Sequence, residues 1–366
     1  MDVFQAIAEN LDKAFRRAPN KNGIPSKSFI EYLSLIYTRE EADTLQYMKG
    51  YPGFLTTLQI AEKSSKTTEE IEIVLSGVLK KNGITRMGNT WSLPPVTLLL
   101  NLCSGLSTAP FNEKRAAELY EKFYIEDGYY KFYQGSEKGT PFLRSLPVNK
   151  AISPGEKILK SEEAHELISN LNHDDIVLAP CPCRKRKEDL NERDCKDKNP
   201  VGSCIFLGVS AIQMESAGVG RRVSKNEAID YFDDMHSRGL VGATDNMIRD
   251  NMIICLCCGC CCSNLRGRIY WNNPSAVAPS NFIPEPDENC VHCGICSKKC
   301  WLSAIAVDTK KKTYSLDQQK CIGCGVCTGQ CPKKALKMKR QERAKAFPSQ
   351  DALYKRIAKE NNRPYL

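Results

Sequence analysis

Two stretches decide the fold: CVHCGICSKKC at residues 290–300 and CIGCGVCTGQCP at residues 321–332. Both read C-x2-C-x2-C-x3-C. Three cysteines spaced this closely wrap one loop around a single iron–sulfur cube. Gly294, Gly323 and Gly325 let backbone amides approach the sulfur atoms. The fourth cysteine lies too far along to close the same cube and reaches the other one. The spacing therefore predicts one four-iron cluster on Cys290, Cys293, Cys296 and Cys331. A second falls on Cys321, Cys324, Cys327 and Cys300. Zinc would favour paired C-x2-C knuckles over two four-cysteine runs.

Between the runs, AIAVDTKKKTYSLD (304–317) alternates apolar and polar residues about a charged turn, which predicts a hairpin joining two halves. At these motifs the chain resembles a bacterial-type ferredoxin with two [4Fe-4S] clusters, over residues 286–340. The resemblance implies a pseudo-twofold module whose clusters exchange single electrons. Trp301 departs from it, standing where the family pattern implies proline. His292, between two predicted ligands, reads as a surface residue.

Upstream, CLCCGCCC (255–262) is six-eighths cysteine. Ten cysteines precede the ferredoxin runs: Cys181, Cys183, Cys195, Cys204, Cys255, Cys257, Cys258, Cys260, Cys261 and Cys262. Adjacent cysteines in an extended segment point to opposite sides, so Cys257 and Cys258 serve different purposes, and Gly259 permits a sharp bend. The ten could hold two further cubanes with two thiols to spare, one cluster beside reactive thiols, or a non-cubane cluster. Zinc and a metal-free thiol redox site remain the other readings. The expectation is at least one further iron–sulfur cluster. Cys255 and Cys258, anchored by the apolar MII, are the expected ligands in the run, with Cys181 and Cys183 as distant partners. The Cys195 loop, KEDLNERDCKDKNP (187–200), reads as mobile. Arg184, Lys185, Arg186 and Lys187 follow the CPC motif, either as a solvated loop or as charge compensation beside an anionic cluster. His165, His173 and His236 form no ligand-spaced pair.

Residues 1–110 read as mostly helical. TTEEIEIVLSGVLKKNG (67–83) opens on a capping box, Thr67 to Glu70. ITRMGNTWSL (84–93) reads as a hairpin. Helix, turn, helix and hairpin resemble a winged-helix domain over residues 40–93. Such a domain would present TTEEIE, with three glutamates, to a DNA groove, which predicts protein docking or homodimerisation instead. Residues 111–159 supply an aromatic-rich helix and a linker. Residues 160–282 read as a cysteine-rich α/β domain. In it DIVLAP (175–180) is a strand, CIFLGVSAIQMES (204–216) a helix and SKNEAIDYFDDMHSRG (224–239) another. Residues 283–340 form the dicluster domain and 341–366 a basic tail. The fold class is thus α+β multidomain. The whole chain resembles a family of multi-cluster iron–sulfur proteins with a winged-helix-like N-terminal part, a CPCR…CCGCCC domain and a ferredoxin tail. That resemblance implies a domain order and no reaction.

The chain has 366 residues, enough for several cores. Eighteen of its 19 cysteines lie between Cys181 and Cys331, so the redox or metal chemistry sits in the C-terminal half. No secretory leader and no membrane span is visible, which predicts a cytoplasmic chain with reduced thiols. The net charge of +9 is concentrated in residues 333–366, where 11 Lys and Arg face three acids. That tail is a solvated helix or a docking patch for an acidic partner. No G-x-G-x-x-G or P-loop appears. The sequence thus predicts an electron carrier, or an electron-transfer subunit of a larger oxidoreductase, handing electrons to a redox partner protein. A redox-sensing winged-helix regulator and a reductase with a substrate-binding cysteine site are the alternatives.

Overall fold

A computed structural model describes residues 2–14, 16–103, 112–136, 138–147, 151–159 and 161–365. The expected boundary at 110/111 lies outside the described residues. The N-terminal helices bury their i, i+3/i+4 faces. α1 (Val3–Asp12) buries Phe4, Ile7 and Leu11. After the short strands β1 (Asn20–Lys21) and β2 (Ile24–Pro25), α2 (Lys27–Ile36) buries Phe29, Tyr32, Leu33 and Ile36. α3 (Arg39–Leu45) starts on a Thr38–Glu41 capping box. β3 (Leu55–Thr56) leads into α4 (Thr57–Ser64), and a Thr67–Glu70 capping box opens α5 (Thr68–Lys80). β4 (Thr85–Met87) and β5 (Thr90–Ser92) turn at Gly88, whose φ is +56°. The three strands order as β3-β5-β4, with Trp91 buried beneath them.

α6 (Val96–Leu98) is followed by α7 (Glu113–Glu121), a π-helical turn at Lys122–Glu126 and α8 (Tyr130–Gln134). The aromatic run packs inward. Tyr120, Phe123, Tyr124, Tyr129 and Tyr133 join Phe29 and Tyr32 in the first core. Tyr124 also reaches forward, donating to the Ser263 carbonyl at 2.6 Å.

The middle of the chain builds a six-stranded sheet. Its strands are β6 (Leu143–Ser145), β7 (Ile176–Pro180), β8 (Ser203–Leu207), β9 (Arg221–Arg222), β10 (Val241–Asp245) and β11 (Ile253–Cys257). Their order is β6-β10-β11-β8-β7-β9, and every neighbouring pair runs antiparallel. The expectation of an α/β domain is corrected here, because its parallel crossovers are replaced by antiparallel neighbours. α9 (Ala164–Ser169), α10 (Pro182–Asp189), α11 (Val209–Ser216) and α12 (Lys225–Ser237) accompany the sheet. Cys204 was expected to open a helix and instead sits in β8. A short apolar run carries no period that separates strand from helix; Gly208, at φ +57°, ends the strand before α11 begins.

After α13 (Leu265–Tyr270), the C-terminal module pairs β12 (Phe282–Pro286) with β15 (Leu336–Arg340). Between them lie α14 (Ile295–Lys299), the hairpin β13 (Ile305–Asp308) and β14 (Thr313–Leu316), and α15 (Val326–Gly329). The module is built into the rest of the molecule. Ser153 donates to the Met338 carbonyl at 2.9 Å, and Arg340 pairs with the buried Glu162 at 2.7 Å. The described residues at the end of the expected 111–159 linker region are not loose: Leu146, Ala151 and Ile152 are buried. The basic tail is not simply solvated either. α16 (Gln350–Glu360) buries Leu353 and Ile357 against Phe142, and Arg363 pairs with Asp12 of α1 at 2.7 Å.

Candidate metal centres

In the C-terminal module, Gly294 and Gly325 both hold φ of +76° and open α14 and α15. Only glycine takes that conformation without strain. The chain thereby curls so that successive cysteines face one point. Cys296 interacts electrostatically with Cys290, Cys293 and Cys331. Cys327 does so with Cys324, Cys321, Cys300 and, last, Cys296. Each foursome thus gathers three cysteines from one run and the last cysteine of the other. Cys300, Cys321, Cys324 and Cys327 line one apolar cavity together with Gly323 and Trp301. Amides turn toward sulfur at its rim: Ala304 donates to Cys300 Sγ and Gly323 to Cys321 Sγ, each at 3.4 Å. A Cβ on Gly323 would lie 2.2 Å from the Phe282 carbonyl oxygen, so the close approach demands glycine. Burial pushes the Cys324 thiol up to about 12. A metal would have to displace that proton. This donor set fits two four-iron clusters. The first set of thiols lies toward the surface, where Cys293 is exposed, and the second is deeper, with Cys321 and Cys327 buried.

The ten upstream cysteines divide into two groups, and none forms a disulfide. The first group is a closed ring of six. Cys181 interacts with Cys183 and Cys204, Cys204 with Cys255, Cys255 with Cys257, Cys257 with Cys262, and Cys262 with Cys183. The Cys257–Cys262 Sγ separation is 3.1 Å. These thiols come from the N-terminus of α10, from β8, from β11 and from the turn after β11. The second group is Cys195, Cys258, Cys260 and Cys261, whose sulfur atoms all lie within 4.8 Å of one another.

The expected set of Cys255, Cys258, Cys181 and Cys183 is therefore not brought together. Cys255, Cys181 and Cys183 share the ring, while Cys258 belongs with Cys195. β11 ends at Cys257, and a turn begins at Gly259, so Cys257 and Cys258 leave the sheet on different sides. Cys195 is buried and lies in a folded turn, its carbonyl accepting from the Lys198 and Asn199 amides at 3.1 and 2.8 Å. The expected mobile loop is corrected accordingly.

Two arginines of the CPCR segment are buried beside the ring. Arg184 is 1% exposed, donates to the carbonyls of Val201 and Leu256, and is favoured electrostatically by Cys181 and Cys204. Arg186 is 4% exposed, stacks over the Tyr120 ring at 3.9 Å and points Nη2 at Cys183 Sγ, 3.9 Å away. Hydrogen bonds from Cys181 and Cys262 hold the Cys183 thiol well below its usual range, with help from Arg186. Cys204 is lowered in the same way by Cys181 and Cys255, with help from Arg184. Lys185 and Lys187 turn to carboxylates instead, at Glu113 and Asp189 and at Glu121 and Glu192.

Sequence reasoning missed the polar floor under Cys183. Cys183 Sγ and Tyr120 Oη both contact Ser263 Oγ, at 3.4 and 3.0 Å, while Gln134 Nε2 donates to the Ser263 carbonyl at 2.5 Å. Ser263 immediately follows the cysteine run, which was the available signal. The histidines lie apart from the ring. His165 pairs with Asp233 at 2.7 Å, and His236 Nε2 lies 3.3 Å from the Cys324 carbonyl.

Trp301 joins the centres. Its Nε1 donates to the Gly239 carbonyl at 2.8 Å. Its ring lies on Gly259, where a Cβ would come within 2.5 Å of Cε3. One apolar cluster contains Cys257, Cys262, Cys255, Trp301 and Cys324.

Fold and thiols together define an iron–sulfur protein with a ferredoxin-like C-terminal domain, a class whose general chemistry is electron transfer to partner proteins. Residues 289–335 match the family model of the 4Fe-4S dicluster domain. No curated protein and no solved structure matches the chain. Among the described residues, no helix is long and apolar enough to cross a membrane.

Proposed function

We propose that this chain is an electron-transfer protein whose dicluster module exchanges single electrons with a further iron–sulfur centre in the six-thiol ring. The carrying observation is the single apolar cluster that holds Cys324 and Trp301 together with Cys255, Cys257 and Cys262. In this reading Cys290, Cys293, Cys296 and Cys331 hold one cluster, and Cys321, Cys324, Cys327 and Cys300 the other. When bound, such clusters supply one-electron redox steps with little change of shape. The chain does the rest. Cys293, exposed, marks the face open to a partner. Trp301 fills the space between the module and the ring and keeps water out. Arg184 and Arg186 offset the thiolate charge from within the core, and the Ser263 hydroxyl contacts Cys183.

Six thiols exceed the four of one cubane, so the ring suits a cluster with thiolates to spare or a larger one. α4, α5 and the β4–β5 hairpin are taken as a winged-helix fold. Leu58, Ile73 and Met87 are exposed on these elements, and Glu69 at the start of α5 has its pKa lowered by its own backbone amide and by Thr68. Apolar residues beside carboxylates suit protein docking better than a phosphate backbone. The test is anaerobic purification with iron and sulfide counts, then stepwise reduction followed by EPR. The expected result is about 12 or more irons per chain, with spin coupling between the added centre and the dicluster module. A count of about eight irons, with only the two ferredoxin signals, would remove the ring from the electron path.

A further inference from the structure

We infer that Cys195, Cys258, Cys260 and Cys261 form a mononuclear tetrahedral site for a zinc ion, distinct from every iron–sulfur centre in the chain. The distances lead to this. The Sγ separations are 3.7 Å for Cys195–Cys258, 3.9 Å for Cys195–Cys261 and 3.5 Å for Cys260–Cys261, and no pair exceeds 4.8 Å. Four sulfurs at about 2.3 Å from one zinc stand about 3.8 Å apart at the corners of a tetrahedron. A cubane instead places each thiolate on a different iron, outside the cube, and spreads the four sulfurs well beyond 4.8 Å. The site therefore has the size of one ion.

The chain holds it at that size. The turn at Gly259 brings Cys258, Cys260 and Cys261 to one point, although adjacent residues of a strand would diverge. Gly259 is pinned against Trp301 and Ile269, where a Cβ would lie 2.5 and 2.8 Å from side-chain carbons. Cys195 completes the set from the loop between α10 and β8. Three of the thiols are buried, and Cys260 is half-buried at the edge of an open cleft lined by Lys187, Glu192, Asp194 and Arg266. That cleft is the entry path a metal needs. Lys187 in that cleft is paired with Glu121 and Glu192, and Arg266 with Glu121. Zinc has no redox chemistry and tolerates a tetrahedron set by the protein, so the site's work is to staple the 190–202 loop to the end of β11.

The full chain, purified anaerobically, is analysed for zinc, iron and sulfide and by X-ray absorption at the zinc edge. The expected result is one zinc per chain, with a shell of four sulfurs at about 2.3 Å and no neighbouring iron. Cys195→Ser should lose the zinc while the sulfide content and the EPR of the dicluster module stay unchanged. Zinc-free protein, or zinc bound by nitrogen or oxygen, overturns the inference. So does a Cys195→Ser variant that loses iron and sulfide together, because the four cysteines would then carry a cubane. The wild-type absorption measurement decides the matter even if the variant does not fold. An iron count of about eight would remove the ring from the electron path without touching this site.

Discussion

Replacing Trp301 tests how firmly the dicluster module is held against the cysteine-rich sheet. The side chain is half-buried, so Trp301→Ala should forfeit about half of the 3–5 kcal/mol typical of a fully buried aromatic, or about 2 kcal/mol. It also removes the 2.8 Å bond to the Gly239 carbonyl, worth about 1 kcal/mol. The sum, about 3 kcal/mol, is a factor of about 100 in a local opening equilibrium. Trp301→Phe keeps most of the ring contact and loses the bond, so it should cost about 1 kcal/mol, a factor of about five. Amide hydrogen exchange read by mass spectrometry is the suitable assay, because a chain of this length with several separate hydrophobic cores does not unfold in one step. Peptides covering 239–242, 255–269 and 298–304 should exchange faster in that ratio, and those of α1 and α2 should not change. An alanine variant whose exchange at these peptides matches wild type would refute the reasoning. So would a uniform acceleration along the whole chain.

Gly259→Ala should act on the same contact from the other side. It should cost about 1–3 kcal/mol through overpacking and recover part of that loss in the double variant with Trp301→Ala, again read by exchange. Cys331→Ser should alter the EPR signal of the outer cluster and Cys300→Ser that of the inner one. Each substitution lies in the opposite run from the three other ligands of its cluster, and the reverse assignment would break the crossed ligation. Asp245 supplies a pH dependence. Its carboxyl is buried and pushed up to about 6, against hydrogen bonds from the Met252 and Ile253 amides. The folded value exceeds the unfolded value of about 3.9, so its contribution is fully present below about pH 4 and lost as pH rises through about 6, by about 3 kcal/mol. Amide hydrogen exchange at peptides covering 241–254, corrected for the intrinsic pH dependence of exchange and followed from pH 4 to 7.5, should show most of that loss in wild type. Asp245→Asn should remove it, and a parallel pH profile in the variant would disprove the assignment.

The eight ferredoxin cysteines were legible because their spacing is local: three sulfurs in one loop meet one point whatever the rest of the chain does. The upstream cysteines were not, since their partners depend on where β11 ends and on which side the next turn leaves the sheet. Cys258 follows Cys257 by one residue yet belongs to another site. Cys204 was read into a helix because an apolar run of this length has no deciding period. The loop around Cys195 is highly charged, and charge alone suggested mobility; its one buried thiol reverses that reading. Trp301 stood out in the sequence as a departure from proline, but its counterpart, the missing side chain of Gly259, shows only when the two segments meet.

The six-thiol ring takes its members from the end of β7 and the start of α10, from β8, from β11 and from the turn beyond it. A cofactor seated there ties neighbouring strands of one sheet as a rivet ties plates. If the ring holds the proposed iron–sulfur centre, acquiring metal and completing the sheet become one event, and the supply of iron, as much as the sequence, would set how many copies of the chain reach their final form.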